Sequence, residues 1–213
     1  MALVSTLIGP IKQKLRKCPE ATIRQAYVRA ARTLLGRSRW YLSPLTAPLV
    51  AGTAQYSLGT DPQLEILDVP IGSLTQPNNA GVIPIIPTPA WNFNPNADQG
   101  TPQYFAYVPE GSVSFYPVPD QAYTVTLSLV LQCRESATEV DDYLLIKWRR
   151  AFENGALTDL YLIPGEPWFS AELAMSHKRE FERDINNAQI DRERGYVWGS
   201  QRAQARRFVV QGG

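Results

Sequence analysis

The stretch from Tyr123 to Leu131, YTVTLSLVL, decides how the chain is read. Tyr123, Val125, Leu127, Leu129 and Leu131 are apolar, while Thr124, Thr126, Ser128 and Val130 fill the positions between them. A period of two puts the first set on one face of a pleated strand and the second on the other. Upstream, Leu45 to Val50, Gln55 to Leu58, Leu64 to Leu74, Tyr104 to Val108 and Ser112 to Tyr116 also have strand composition. Gly52-Thr53, Pro109-Glu110-Gly111 and Pro119-Asp120 supply the turns. One long Pro/Asn-rich excursion, from Thr75 to Pro102, carries Trp91 and Phe93 among its prolines. Loops of that length are either disordered or bind, so the two aromatics are candidate anchors for a partner protein, with a glycan as the alternative.

On both sides of this zone the period changes to that of a helix. After Cys18-Pro19-Glu20, residues Ile23, Ala26, Tyr27, Ala30, Ala31, Leu34 and Leu35 recur at i, i+3/i+4. Pro19 and Glu20 suit a first turn, where an N–H is spare and the dipole favours a carboxylate. Gly36 is the expected exit. Leu3, Leu7, Ile8, Ile11 and Leu15 outline a weaker upstream helix, broken at Gly9-Pro10. Beyond the β zone, Asp141-Asp142 can cap a helix to about Ile163. Gly155-Ala156 in its middle lowers helix propensity and predicts a close helix–helix crossing as compensation. Pro164-Gly165-Glu166-Pro167 breaks the chain, and Trp168 to about Arg194 reads as a longer helix, with Ala174, Phe181, Ile185 and Ala188 on its seam. After Gly195 the periodicity stops.

Composition divides at the same places. Residues 1–40 carry nine basic side chains against one acid, residues 41–139 one basic side chain against eight acids, and residues 140–213 eleven of each. Thirteen of the 17 prolines lie in 41–139. The expected architecture is α+β: a helical bundle built from residues 1–40 and 140–194, an inserted β-sandwich or barrel-like domain over 41–139 with its long loop at 75–102, and an extended C-terminal tail over 195–213.

Whole-chain quantities exclude several classes. The 213 residues are 44% apolar and 19% charged, with a net charge of +1. A charged fraction below the roughly 25% of soluble domains favours a subunit that hides surface against partners. Near-neutrality argues against a general nucleic-acid binder. No apolar run approaches the ~18 residues of a membrane span, and Met1-Ala2-Leu3-Val4 lacks a basic signal-peptide start. Cys18 and Cys133 are too few for a disulfide framework or a zinc site; an intracellular, metal-free and cofactor-free chain is expected. There is no Walker loop, GxGxxG, HExxH or GxSxG. The one histidine, His177, sits on the polar flank of the long helix, where a solvated role is expected. Adjacent Asp141 and Asp142 point apart and read as a cap. Cys18 has no histidine near it in sequence to act as a base. A non-enzyme is expected.

The strongest electrostatic feature is the first long helix, where Arg29 and Arg32 share a face with Arg24 and Arg37 nearby. Two partners fit: nucleic acid, or the acidic β zone of the same or a neighbouring chain in a head-to-tail contact. Equal and opposite zones in a near-neutral chain favour the second.

The ordered set of motifs resembles the head-to-tail connector (adaptor) proteins of tailed bacteriophages, related to the tail tubular A type. It comprises Cys18-Pro19, Ile23, Ala26, Ala30-Ala31, Leu35, Ser38 and Trp40; Leu49-Val50-Ala51-Gly52 and Gln55-Tyr56-Ser57-Leu58; Gly100 to Tyr104 and Phe115 to Pro119; then Gly155-Ala156-Leu157, Pro164 to Trp168, Ala174 and Phe181. The resemblance spans about residues 10–190; the long 75–102 segment departs from it. It implies a ring subunit, typically of a dodecamer, assembled in the host cytoplasm and located at the virion neck. Such a ring docks on the portal protein, extends the channel through which genomic DNA passes, and offers a platform to a downstream tail protein. It also implies a C-terminal segment that contacts the portal, here Arg202, Arg206, Arg207, Phe208, Val209 and Val210. A tail that orders on docking trades entropy for wide contact, and Phe208-Val209-Val210 has the composition to add a strand or fill a groove.

Overall fold

A computed structural model of the chain describes residues 2–3, 8–59, 61–77, 81–89, 98–109 and 111–195. The fold is α+β, with four helices and one curled, mostly antiparallel sheet sharing an apolar core.

The chain begins with β1 (Ala2–Leu3), α1 (Ile8–Lys14) and α2 (Glu20–Ser38). Leu3 therefore belongs to a strand and not to the upstream helix. Gly9-Pro10 does not break α1, because Pro10 falls in the first turn, where its missing N–H has no intrahelical acceptor to lose. Every apolar position expected on the α2 stripe is buried. Its exit, however, is not Gly36. The helix continues to Ser38 and reverses at Arg39, whose left-handed φ of 50° lets its N–H reach the Leu35 carbonyl at 2.8 Å. Gly36 serves a close approach instead: a Cβ there would lie 2.9 Å from Gln132 Oε1.

Next come β2 (Leu42–Leu49), β3 (Gln55–Ser57), β4 (Leu64–Thr75), β5 (Val82–Pro87), β6 (Gln99–Gly100), β7 (Tyr104–Val108), β8 (Ser112–Tyr116), β9 (Val118–Pro119), β10 (Tyr123–Cys133) and β11 (Glu139–Val140). Seven of these form one sheet in the order β2-β10-β4-β5-β7-β8-β3, parallel only between β5 and β7. It curls into a half-barrel, so of the two expected forms, sandwich or barrel-like, the second is the nearer: one sheet closes over its own concave side. β1 pairs with β11, and β6 with β9, as short outlying ladders.

Two expectations for this zone need correction. The 75–102 segment is not one long excursion: β4 turns back into β5, through the Gln76 N–H to Gly81 carbonyl bond of 2.9 Å, and Gln99-Gly100 rejoins as β6. The prolines that disguised β5 are compatible with its position. Ile86 and Thr88 donate toward the β7 side, so Pro84, of the same parity, lacks a donor only where β7 has not yet begun. Val130 is fully buried and not on an open face, because the ladder shifts register around it and α2 packs across that end of β10.

The chain ends its described part with α3 (Asp142–Tyr161) and α4 (Ala171–Glu193). Asp141 caps α3, its carboxylate accepting from the Tyr143 N–H at 2.9 Å. α4 starts three residues later than expected, because Ser170 supplies the cap and leaves Trp168 and Phe169 in the connection. Helices α2, α3 and α4 pack against one another, and the crossing predicted at Gly155 is present. A Cβ on that residue would lie 2.7 Å from Ala30 Cβ on α2 and 2.9 Å from Phe181 Cζ on α4.

Candidate interaction surfaces

The basic face of α2 does not act as a unit. Arg32 reaches across to the sheet, 2.9 Å from Glu65 and 3.6 Å from Glu135. Arg37 turns the other way and makes a two-pronged pair with Glu182 of α4, both N···O distances being 2.7 Å. That pair holds the Glu182 carboxyl below the ordinary carboxylate range. Just past the helix, Arg39 meets Asp68 of β4 at 2.9 Å. Three acids of the negative β zone are thus met by arginines of the same chain. Arg24 and Arg29 are exposed and have no ion-pair partner among the described residues. Burial raises the Asp159 carboxyl and the charge of Arg29 works against that rise, which places the two within electrostatic reach. Arg29 and Arg32 line one cleft of about 250 Å³ together with Gln25, Val28 and Glu135. Of the four candidate arginines, then, two are tied down inside the chain and two face outward.

The junction between helices and sheet is organised by Trp40, fully buried directly after α2. Its ring stacks on Tyr143 at 5.5 Å and meets Trp148 edge-on at 5.6 Å. Lys147 lies 4.9 Å above it. The indole N–H donates to Asp191 Oδ2 at 2.6 Å, and Lys147 reaches the same oxygen at 2.5 Å. Burial pushes the Asp191 carboxyl up, but these two hydrogen bonds together with the positive charges of Lys147 and Arg194 outweigh it and hold the group below its ordinary value. One residue step on, Tyr41 donates to Asp141 at 2.6 Å. The entry to β2 is therefore pinned to the start of α3 and the end of α4. Sequence reading did not single out this node; its available signal was a tryptophan at the point where helical periodicity stops and strand composition begins.

His177 is not solvated as expected. Its Nδ1 lies 3.0 Å from Asn154 Oδ1 and its ring stacks on Tyr161 at 5.8 Å, so it bridges α4 to α3. Burial, and then the charge of Lys14, lower its pKa, against a smaller opposing effect of Glu180, and so favour the neutral ring. Cys18 and Cys133 are buried free thiols, and burial pushes the Cys133 thiol up to about 12. Among the described residues, no group of three or more His, Cys, Asp or Glu could hold a metal ion, and no helix is long and apolar enough to cross a membrane. Trp91 and Phe93 of the loop, and Arg202, Arg206, Arg207, Phe208, Val209 and Val210 of the tail, lie outside the described residues.

What these surfaces offer is paired charge, buried aromatic staples and outward arginines, a set suited to holding shape and meeting partners. Compared with family models, residues 4–207 match the one described as SU10 adaptor protein. No curated protein matches the chain.

Proposed function

Because the chain belongs to the SU10 adaptor protein family, the adaptors that join phage head to tail, we propose that it is a non-enzymatic structural subunit of a connector ring, a dodecamer, that docks on the portal protein. In this reading the ring extends the DNA channel and offers its far side to a tail protein. It resides at the virion neck after assembly in the host cytoplasm. The observation that carries the reading is the extent of the family match, which runs from residue 4 to residue 207 and so takes in Arg202, Arg206 and Arg207 of the tail. The helices of 1–40 and 140–194 form the bundle that supports the β insertion of 41–139. The 195–213 tail, through those arginines and Phe208, Val209 and Val210, makes the portal contact. Trp91 and Phe93 anchor a partner protein from the 75–102 segment.

A second reading, a nucleic-acid-binding module, is favoured by one observation: Arg24 and Arg29 are exposed without an ion-pair partner among the described residues. The in-chain pairing of Arg32, Arg37 and Arg39 weighs against it, since guanidiniums already held by carboxylates are not available to phosphates.

Light scattering on the purified chain, alone and mixed with the portal of the same virus, tests the first reading. A ring-sized particle, or a monomer that assembles on the portal, is the expected result. A variant ending at Gly195 should keep its thermal unfolding midpoint and lose portal capture; capture at full strength would remove the tail from the contact.

A further inference from the structure

Two connections, the α1–α2 turn and the α3–α4 loop, meet at one end of the packed helices and enclose a cleft of about 350 Å³. Gln13 to Lys17 form one wall, and Pro167 and Trp168 the other. The first wall is fixed by what it buries. Leu15 and Cys18 are each 3% exposed, and the Cys18 N–H closes on the Leu15 carbonyl at 3.0 Å. With those two side chains turned inward, Arg16 and Lys17 between them turn outward. The second wall is pinned in the same way. The Phe169 N–H donates to the Glu166 carbonyl and the Ser170 N–H to the Tyr161 carbonyl, both at 3.0 Å. The Trp168 indole N–H is spent on the Leu160 carbonyl at 3.2 Å, so its ring offers only carbon to the cleft. The cleft is thus formed before anything enters it, which lowers the ordering cost of binding.

Its charge is one-sided. Lys14, Arg16 and Lys17 are exposed and have no ion-pair partner among the described residues. Lys12, earlier in α1, is taken by Glu20. The charge of Lys14 reaches His177, so α4 passes this wall and brings the exposed Lys178 and Arg179 to the same end. Against these cations stand Glu166, whose charge reaches Cys18, and Glu172 in the first turn of α4. The balance is positive. Two kinds of anion could answer it. A phosphate backbone brings charge without apolar groups; it would leave Leu15, Pro167 and Trp168 unused, and Glu166 at the rim opposes its unbroken row of charges. A protein segment whose carboxylates flank an apolar side chain uses both the cations and the floor. An exposed Lys or Arg gains little from a carboxylate in open water, and more where apolar contact beside it excludes solvent. The cleft supplies that combination.

Independently of the ring reading, we propose that this cleft is a docking site for an acidic segment of another protein. Its carboxylates meet Lys14, Arg16 and Lys17 while an apolar side chain lies against Pro167 and Trp168. The test titrates the full chain against the labelled peptide Gly-Asp-Asp-Leu-Phe-Asp-Asp-Gly and follows fluorescence anisotropy. Saturable binding is expected, weakening as salt rises from about 50 mM to about 500 mM. A peptide with Ser in place of Leu and Phe, and another with Asn in place of every Asp, should each bind about tenfold more weakly or worse. Arg16→Glu with Lys17→Glu should abolish binding and leave the thermal midpoint unchanged, because both side chains are exposed. Arg16→Gln with Lys17→Gln, losing about tenfold in affinity, stands in if the first variant misfolds. No binding of the first peptide by the wild type, equal binding of the Ser peptide, or undiminished binding by the variants overturns the proposal. A DNA duplex of about 20 base pairs that displaces the peptide at about 150 mM salt gives the cleft to phosphate and overturns it. Self-association of the wild type that the same variants abolish, seen by light scattering, gives it to a second copy and overturns it too.

Discussion

Gly155 shows how much one residue decides. Glycine in mid-helix loses roughly 1 kcal/mol of propensity against alanine, and the sequence alone showed that something must compensate. The compensation is an approach so close that a Cβ would sit 2.7 Å from Ala30 Cβ and 2.9 Å from the Phe181 ring. Ala30 cannot swing aside, because its Cβ is fixed to the α2 backbone. Gly155→Ala should therefore gain propensity yet destabilise the chain by a net of about 1–2 kcal/mol, lowering the thermal midpoint by a few degrees. A midpoint that rises would show that α2, α3 and α4 can separate without loss. His177 teaches the opposite lesson. Its position on a polar helix flank was legible, but Asn154 and Tyr161, which hold it, lie 23 and 16 positions away, and no local pattern announces them.

At the scale of elements, periodicity was readable wherever one face alone is buried. β7 and β8 fall where composition placed them, and the α2 stripe is buried throughout. It failed where both faces are covered, as at the end of β10 beneath α2, and where prolines mask a strand, as in β5. Prolines in a strand are informative only once the direction of their missing donors is known. On β2 that direction is outward, toward the free edge, where Pro44 and Pro48 blunt a ladder another chain could extend. Restoring the donors with Pro44→Thr and Pro48→Thr should leave the fold intact and introduce concentration-dependent scatter of visible light on standing. A double variant as clear as the wild type would mean that the prolines serve the turns and not the edge.

For the whole molecule, the segregation of charge has a partly internal resolution. Arg32 and Arg39 meet acids of the β zone, and Arg37 meets Glu182 of α4, so the sheet and the helices are clamped to α2 from two sides. Exposed pairs of this kind contribute little singly, about 0–1 kcal/mol, and matter chiefly as a set that fixes orientation. The outward pair, Arg24 and Arg29, separates the two functional readings. On the connector reading, reversing both to glutamate should weaken assembly, more so at low salt, and leave the retention of DNA by the isolated chain unchanged from wild type in a filter-binding titration. Loss of a salt-sensitive DNA affinity with normal assembly would instead favour the nucleic-acid reading.

By itself the sequence determined the order of helical and β zones, their approximate limits, the cap at Asp141 and the close crossing at Gly155. All of these follow from spacing along one chain, which periodicity and propensity record directly. Tertiary structure alone decided that the β zone is a single half-barrel, that β5 lies within the apparent loop, and that Trp40 joins Tyr143, Trp148, Lys147 and Asp191. Those outcomes depend on which distant segments become neighbours, and that is set by the free energy of burying their faces together, a quantity no local window of residues contains.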